Sequence, residues 1–277
     1  MNEAVPTGST IHAAAALPLL QPLTELVARA GAAILAVERD SMAVDSKTDG
    51  TPVTEADIAA HHIIVDGLRS LLPDVPVLSE ESAHLATPPY RHSFFLVDPL
   101  DGTKEFIAGR DEFTVNVALV THGQPVLGVI GAPALGLIWR GLAGHGAERI
   151  AIGPDASIGA AEPIRTRAFP PTGTPWVAAV SRSHGDPRSE AFLAKRPGGI
   201  RRELGSSVKF ARLAEGSVDI YPRLAPTCEW DVAAGCALVM AAGGKITDAQ
   251  GKPLHFGELR NDFRVPDFIA WGDPSAA

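Results

Sequence analysis

The run Phe94-Phe95-Leu96-Val97-Asp98-Pro99-Leu100-Asp101-Gly102-Thr103 constrains this chain more than any other segment. Four consecutive apolar residues read as a buried strand, and the Asp-Pro that follows ends its ladder because proline has no N–H to donate. Asp98 then stands at the strand tip, and the turn brings Asp101 back toward it. Two carboxylates three residues apart can share one cation, and the Leu100 carbonyl freed by the turn offers another hard oxygen, a set that suits Mg2+. A helix opening at Gly102 would aim unpaired N–H groups at the same point, where a phosphate can approach a residue without a side chain. Taken alone, the segment reads equally well as an ordinary strand, turn and helix, with Asp101 as a cap and Asp98 as a surface strand end.

Other acids raise the same pair of readings. Glu80-Glu81 follows the short strand Val77-Leu78, and buried like charges there are costly unless a cation compensates them; Glu81, next to a polar loop, reads more readily as a solvated acid. Asp231, after Trp230, opens a late helix, where the helix dipole alone favours an acid. Thr54 stands three residues before Asp57 and marks a capping box with Asp in the usual Glu position, so the sequence does not separate a cap from a base. His61-His62 point about 100° apart on a helix and read as partly buried helix residues. Cys228 and Cys236 lack zinc-ligand spacing, and the Ser181–His184 loop has no Gly-x-Ser-x-Gly elbow, so serine and cysteine nucleophile chemistry is unsupported.

The 277 residues, 45% of them hydrophobic, suffice for a sizeable core in one domain or two. Lys plus Arg number 24 against 32 Asp plus Glu, a net charge of −8 that argues against a nucleic-acid partner. A small anionic substrate can still bind if divalent cations invert the local field. Two isolated cysteines fit a reducing compartment. Apolar runs look short, none approaching the roughly 20 residues that cross a bilayer, and the start lacks a basic leader, so a cytoplasmic protein is expected, with peripheral association at an inner membrane left open.

The expected organisation is a frayed terminus over 1–16, an α+β half over 17–160 and an α/β half over 161–277. Apolar spacing gives a first helix from Leu23 to before Glu38. After a loop holding Lys47-Thr48-Asp49-Gly50, a second helix is capped by Thr54, with Ile58, Val65, Leu68 and Leu72 on its inner face. Phe113–Thr121 and Val126–Ala132 read as a hairpin joined by His122–Pro125, with a third strand over Leu137–Trp139. Gly153–Pro175, rich in Gly and Pro, is the expected junction. Beyond it strands at 176–180, 218–221, 245–247 and 268–271 alternate with helices at 189–196, 206–214 and 231–242.

Taken together and in this order, Leu96-Val97-Asp98-Pro99-Leu100-Asp101-Gly102-Thr103, Glu229-Trp230-Asp231-Val232-Ala233-Ala234-Gly235 and Ser79-Glu80-Glu81-Ser82 resemble the signatures of the inositol monophosphatase superfamily. The resemblance extends from about Leu23 to Trp271. Asp101-Gly102-Thr103-Lys104-Glu105-Phe106-Ile107, Ser181-Arg182-Ser183-His184, Gly205-Ser206-Ser207-Val208-Lys209-Phe210 and Tyr221-Pro222-Arg223 liken it most to the 3′(2′),5′-bisphosphate nucleotidase branch, although Cys228-Glu229 before Trp230 departs from that pattern.

The resemblance implies an αβαβα sandwich and a lithium-sensitive phosphatase holding two or three Mg2+ ions on Glu80, Asp98, the Leu100 carbonyl, Asp101 and Asp231. It makes Asp57 and Thr103, with Glu80, the residues that activate water, and assigns substrate contacts to Gly102, Thr103, Ser181, His184, Gly205, Lys209 and Asp231. The implied reaction converts 3′-phosphoadenosine 5′-phosphate to AMP and phosphate, with 3′-phosphoadenylylsulfate as a possible further substrate. An inositol monophosphatase is the alternative within the class, and a catalytically silent phosphonucleotide-binding protein the alternative outside it. A homodimer is left open.

Overall fold

Helices form where apolar side chains recur at helical spacing, and strands where they alternate. The computed structural model describes residues 9–38, 44–46, 52–86, 90, 92–183, 185–258 and 262–277, with the backbone alone described at 44–46. The helices are α1 (Ala13–Ala16), α2 (Leu20–Ala36), α3 (Glu55–Leu71), α4 (Thr103–Ile107), α5 (Pro187–Ala194), α6 (Val208–Ala214) and α7 (Glu229–Ala241).

Strands β1 (Val44–Ser46) and β2 (Pro52–Thr54) pair with each other. A seven-stranded sheet runs in chain order through β3 (Val77–Ser79), β4 (Ser93–Asp101), β5 (Thr114–Thr121), β6 (Gln124–Ala132), β7 (Leu137–Leu142), β8 (Gly146–Ile152) and β9 (Ile158–Ile164). Only its first pair is parallel; the rest is an antiparallel meander. The second sheet takes β10 (Trp176–Ser181), β11 (Gly199–Leu204), β12 (Ile220–Arg223), β14 (Lys245–Asp248) and β16 (Phe268–Trp271) in the order β11-β10-β12-β16-β14, while β13 (Thr227–Cys228) pairs with β15 (Arg264–Val265).

Three cores sort these elements into five layers. Phe95, Val97, Val115 and Val117 face Leu23, Ile34, Ile64 and Leu68 of α2 and α3. Their neighbours in β4 and β5, Phe94, Leu96, Ala118 and Val120, point the other way, into a core with α6, α7 and the second sheet, as strand alternation requires. Trp176, Ile220 and Trp271 pack with Leu193 of α5 on the far side. The order α2/α3, sheet, α6/α7, sheet, α5 is the expected αβαβα sandwich.

The central layer depends on small residues. α7 is buried almost all round, and a Cβ on Gly128 of β6 would lie 2.2 Å from the Ala234 carbonyl oxygen, while one on Gly141 of β7 would lie 2.8 Å from the Leu238 Cα. Backbone cannot yield as a side chain can, so Gly128→Ala is expected to cost about 1–3 kcal/mol or more through overpacking. Chemical denaturation checks this; a midpoint equal to the parent's would show that α7 is not seated on β6 in this way.

Several expectations need correction. Residues 9–16 do not fray: the Ile11 N–H donates to Ser93 Oγ at 2.7 Å, Thr121 Oγ1 donates to the Ile11 carbonyl at 2.7 Å, and Ala16 is buried. Residues 1–8 and Lys47–Gly50 lie outside the described residues. Ala13–Ala36 is also long and apolar enough, by length and composition, to span a bilayer, contrary to expectation, but half of its most apolar window is buried inside the fold. Ile58 is exposed, and Ala60 and Ile64 take the inner face of α3 instead.

β4 does not stop at Pro99. Its register shifts between Asp98 and Asp101, and the irregularity accommodates a residue without an N–H. The hairpin turn is only two residues, His122 (φ 50°) and Gly123 (φ 73°), both left-handed as a tight twisted hairpin demands. The supposed junction contains β9, so the boundary at 160 falls inside a strand; β9 has exposed residues on both faces and therefore carries no apolar alternation.

Candidate active site

Three elements deliver carboxylates to one place. β3 runs parallel to β4, with Ser79 beside Val97, so Glu80 emerges next to Asp98, and the first turn of α7 brings Asp231 to the same place. One ligand oxygen from each of Glu80, Asp98 and Asp231 lies within 4.8 Å of the other two. Asp98 is buried and Oδ1 accepts the Leu100 N–H at 3.1 Å, which fixes the irregular turn.

Asp101 stands outside that triad. Its Oδ2 accepts from Ser207 Oγ at 2.9 Å, Thr114 Oγ1 at 3.3 Å and Asn116 Nδ2 at 3.5 Å. Burial and then the negative charge of Asp231 push its carboxyl up to about 6, while Lys209, Ser207 and Asn116 act in the opposite direction. Converging, all-oxygen, mutually repelling donors are what a hard divalent cation stabilises, so the residues present fit one.

Asp57 divides its two oxygens between two tasks. Oδ2 accepts the Thr54 N–H at 2.8 Å and the Thr54 hydroxyl at 2.6 Å, completing the capping box of α3. Oδ1 accepts the Thr103 hydroxyl at 3.0 Å, and that hydroxyl has the Leu100 carbonyl at 3.2 Å as its other possible acceptor. A cap and a proton acceptor are therefore compatible in one carboxylate.

The acids open into a cleft of about 370 Å3 whose walls include Glu80, Asp98, Leu100, Asp101, Gly102, Thr103, Ser181, Lys209 and Asp231. Gly102, the N-cap of α4, has φ 94°, and a Cβ there would lie 2.2 Å from Ser206 Oγ. Gly205 is not on the cleft wall: its N–H donates to Glu112 Oε2 at 2.7 Å, and a Cβ would meet the Glu112 carbonyl oxygen at 2.5 Å. Its role is close packing between the halves, where Arg182 pairs with Glu112 and the Ser183 hydroxyl donates to Glu105. His184 lies outside the described residues.

Lys209 is not the solvated lysine that an amphipathic helix would carry. It is buried, its ammonium donates to the Ser206 carbonyl at 2.6 Å and approaches the Tyr221 ring at 5.5 Å, and burial lowers its pKa to about 8 against the pull of Asp101. Arg223, at the end of β12, and Arg264 also line the cleft and were not among the expected site residues. Tyr221-Pro222-Arg223 places a cation at a strand end and could have flagged the first.

An acid-lined cleft of this kind suits a metal-dependent phosphatase, and the family comparison agrees: the model of the inositol monophosphatase family matches residues 16–270, and the chain belongs to that family. The enzymes of this family are metal-dependent phosphatases. The chain is 42% identical over 259 residues to the 3′(2′),5′-bisphosphate nucleotidase CysQ of Escherichia coli K12, spanning 90% of this chain and 98% of that relative. CysQ of Buchnera aphidicola from Acyrthosiphon pisum is 36% identical over 241 residues, 86% of this chain and 87% of the relative. The crystal structure of CysQ from Bacteroides thetaiotaomicron superposes with a TM-score of 0.74 at 33% identity, covering 91% of this chain and 96% of that one.

Cys228-Glu229, the departure noted in sequence, is tied into the fold. The Glu229 carboxylate accepts the Gly257 N–H at 2.6 Å, and burial, reinforced by the charge of Glu258, pushes it up to about 8. A folded-state pKa above the unfolded value means the folded protein binds the proton more tightly, so this contribution to stability is full below about 4.5 and is lost as pH rises through about 8. In EDTA, Glu229→Gln should therefore melt less steeply with rising pH than the parent between pH 5 and 8. Identical melting profiles would show that Glu229 does not titrate in that window.

Proposed function

We propose that this chain is a Mg2+-dependent 3′(2′),5′-bisphosphate nucleotidase that removes the 3′-phosphate of 3′-phosphoadenosine 5′-phosphate, giving AMP and phosphate, with 3′-phosphoadenylylsulfate as a further candidate substrate. The observation that carries the reading is one cleft that holds both the Glu80, Asp98 and Asp231 cluster and the cations Lys209 and Arg223. A substrate with two phosphates needs both: acids that hold cations at the scissile group and fixed positive charge for the group that stays. The names of the relatives support the same substrate class.

Glu80, Asp98, Asp231, the Leu100 carbonyl and Asp101 would hold the cations, two or three Mg2+ ions by family likeness. Once bound, the ions supply charge that acidifies the attacking water and neutralises the leaving oxygen. Thr103 takes a proton from the water and passes its own to Asp57 Oδ1, while Thr54 keeps the opposite oxygen from rotating away. Gly102 and Thr103 amides at the start of α4 would steady the oxygens that do not transfer. Ser181 and Arg223, with His184 by likeness, would contact the nucleotide. The enzyme works in the cytoplasm on this reading.

Phosphate release from 3′-phosphoadenosine 5′-phosphate should vanish in EDTA, return with excess Mg2+, and fall with millimolar Li+ but not with equal NaCl. Activity indifferent to EDTA would overturn the metal assignment. Arg223→Ala should raise KM for the bisphosphate while leaving kcat within a few-fold. An unchanged KM would remove Arg223 from the second phosphate.

A further inference from the structure

We propose that Asn116 and Ser207 act as one positioning pair that orients Asp101 for cation binding and couples it to the helix bearing Asp231. The inference rests on the reading of Asp101 and Asp231 as cation ligands. Both members of the pair are buried, at 0% and 2% exposure, and they come from opposite halves of the fold, β5 and the residue just before α6.

Asn116 sits directly across from Asp98 in the β4–β5 register, so its side chain shares that face of the sheet. Asn116 Nδ2 donates to Ser207 Oγ at 3.0 Å and reaches Asp101 Oδ2 at 3.5 Å. Ser207 Oγ lies 2.9 Å from Asp101 Oδ2 and 3.0 Å from the Asp231 carbonyl oxygen. A hydroxyl has one proton, so it serves Asp101 or the backbone of α7, never both at once. The amide occupies a lone pair of the same oxygen and leaves that proton to choose between them. Ser207 thus touches both the Asp101 carboxylate and the first turn of α7.

A purely structural role does not explain the amide. Asn116 Oδ1 has no hydrogen-bond partner among the described residues, and a buried acceptor left unpaired makes asparagine a worse filler than an apolar residue of similar shape. What the residue offers in return is donors aimed at Asp101 and Ser207. Groups that hold the ligands of a metal site typically change affinity or activity 10- to 100-fold when removed.

The test titrates metal-free protein with Mg2+ by calorimetry and follows its melting temperature in EDTA. Asn116→Leu keeps the branching and the number of side-chain heavy atoms and removes both polar ends, Ser207→Ala removes the hydroxyl, and Asp101→Asn is the control for the site itself. The metal-free Asn116→Leu protein should melt at or above the parent, yet its Mg2+ dissociation constant should rise by about 10- to 100-fold. Ser207→Ala should weaken Mg2+ similarly, and the double variant should be no worse than the poorer single, because the two act as a unit. If Asn116→Leu does not fold, Ser207→Ala carries the comparison. Mg2+ binding within twofold of the parent in either folded variant, with Asp101→Asn impaired, overturns the inference alone, as do losses that multiply in the double variant. Parent-like binding by Asp101→Asn overturns the underlying site reading and the inference with it.

Discussion

Asp98→Asn should lose on the order of 10^3-fold in turnover, about 4 kcal/mol of transition-state stabilisation, while remaining folded. The carboxylate is buried where the β4 register breaks, with its Oδ1 on the Leu100 N–H, and an amide of the same shape keeps an oxygen for that bond. What disappears is one negative charge from a cluster whose three ligand oxygens lie within 4.8 Å of one another. The stability effect should have the opposite sign. Without cations the cluster is self-repelling, so the variant should melt at or above the parent in EDTA. With Mg2+ the order should reverse, because a ligand that binds only the native state at 100 times its dissociation constant adds about 2.7 kcal/mol, and the variant forfeits most of that gain. Melting curves in EDTA and in Mg2+ check the sign, and a variant that keeps parent turnover and the parent Mg2+ shift would leave Asp98 with a structural role only.

The second large effect belongs to Asp57→Asn, expected to lower kcat by about 10^2- to 10^4-fold, the range for removing a general base. Asparagine retains a carbonyl oxygen that can accept the Thr54 N–H, so the cap is largely kept, and even its complete loss costs only about 0.5–2 kcal/mol. The amide nitrogen then faces Thr103 and cannot receive its proton. Because the two carboxylate oxygens have separate partners, rate and stability should respond separately. A variant with a lowered melting temperature and parent kinetics would return Asp57 to capping alone.

The acids were legible in sequence because each follows a local signal: Glu80 and Asp98 directly follow apolar runs, and Asp57 and Asp231 open helices. Which of them share a site was not legible from those signals, since Asp98 and Asp231 meet only when α7 crosses the sheet at Gly128 and Gly141. Motif order supplied that grouping. Edge strands were missed for a related reason: β9 and β11 expose most of their residues, so neither carries the alternation that marks a half-buried strand. Ser207 and Asn116 gave no signal, because a serine beside a helix start reads as a cap and an asparagine inside an apolar strand reads as a blemish. Their meaning lies in distances between residues 91 apart in sequence. Lys209 lines the cleft, and its burial follows from α6 packing under Tyr221, which helical spacing does not reveal.

The central claim is that the cleft reads a second phosphate while its acids and cations act on the first. The most direct measurement compares kcat/KM for 3′-phosphoadenosine 5′-phosphate and for inositol 1-phosphate at saturating Mg2+. A preference for the bisphosphonucleotide of at least about 100-fold is expected, since a buried site built for a charged group penalises a substrate that leaves its cations unpaired. Equal or faster turnover of inositol 1-phosphate would contradict the account.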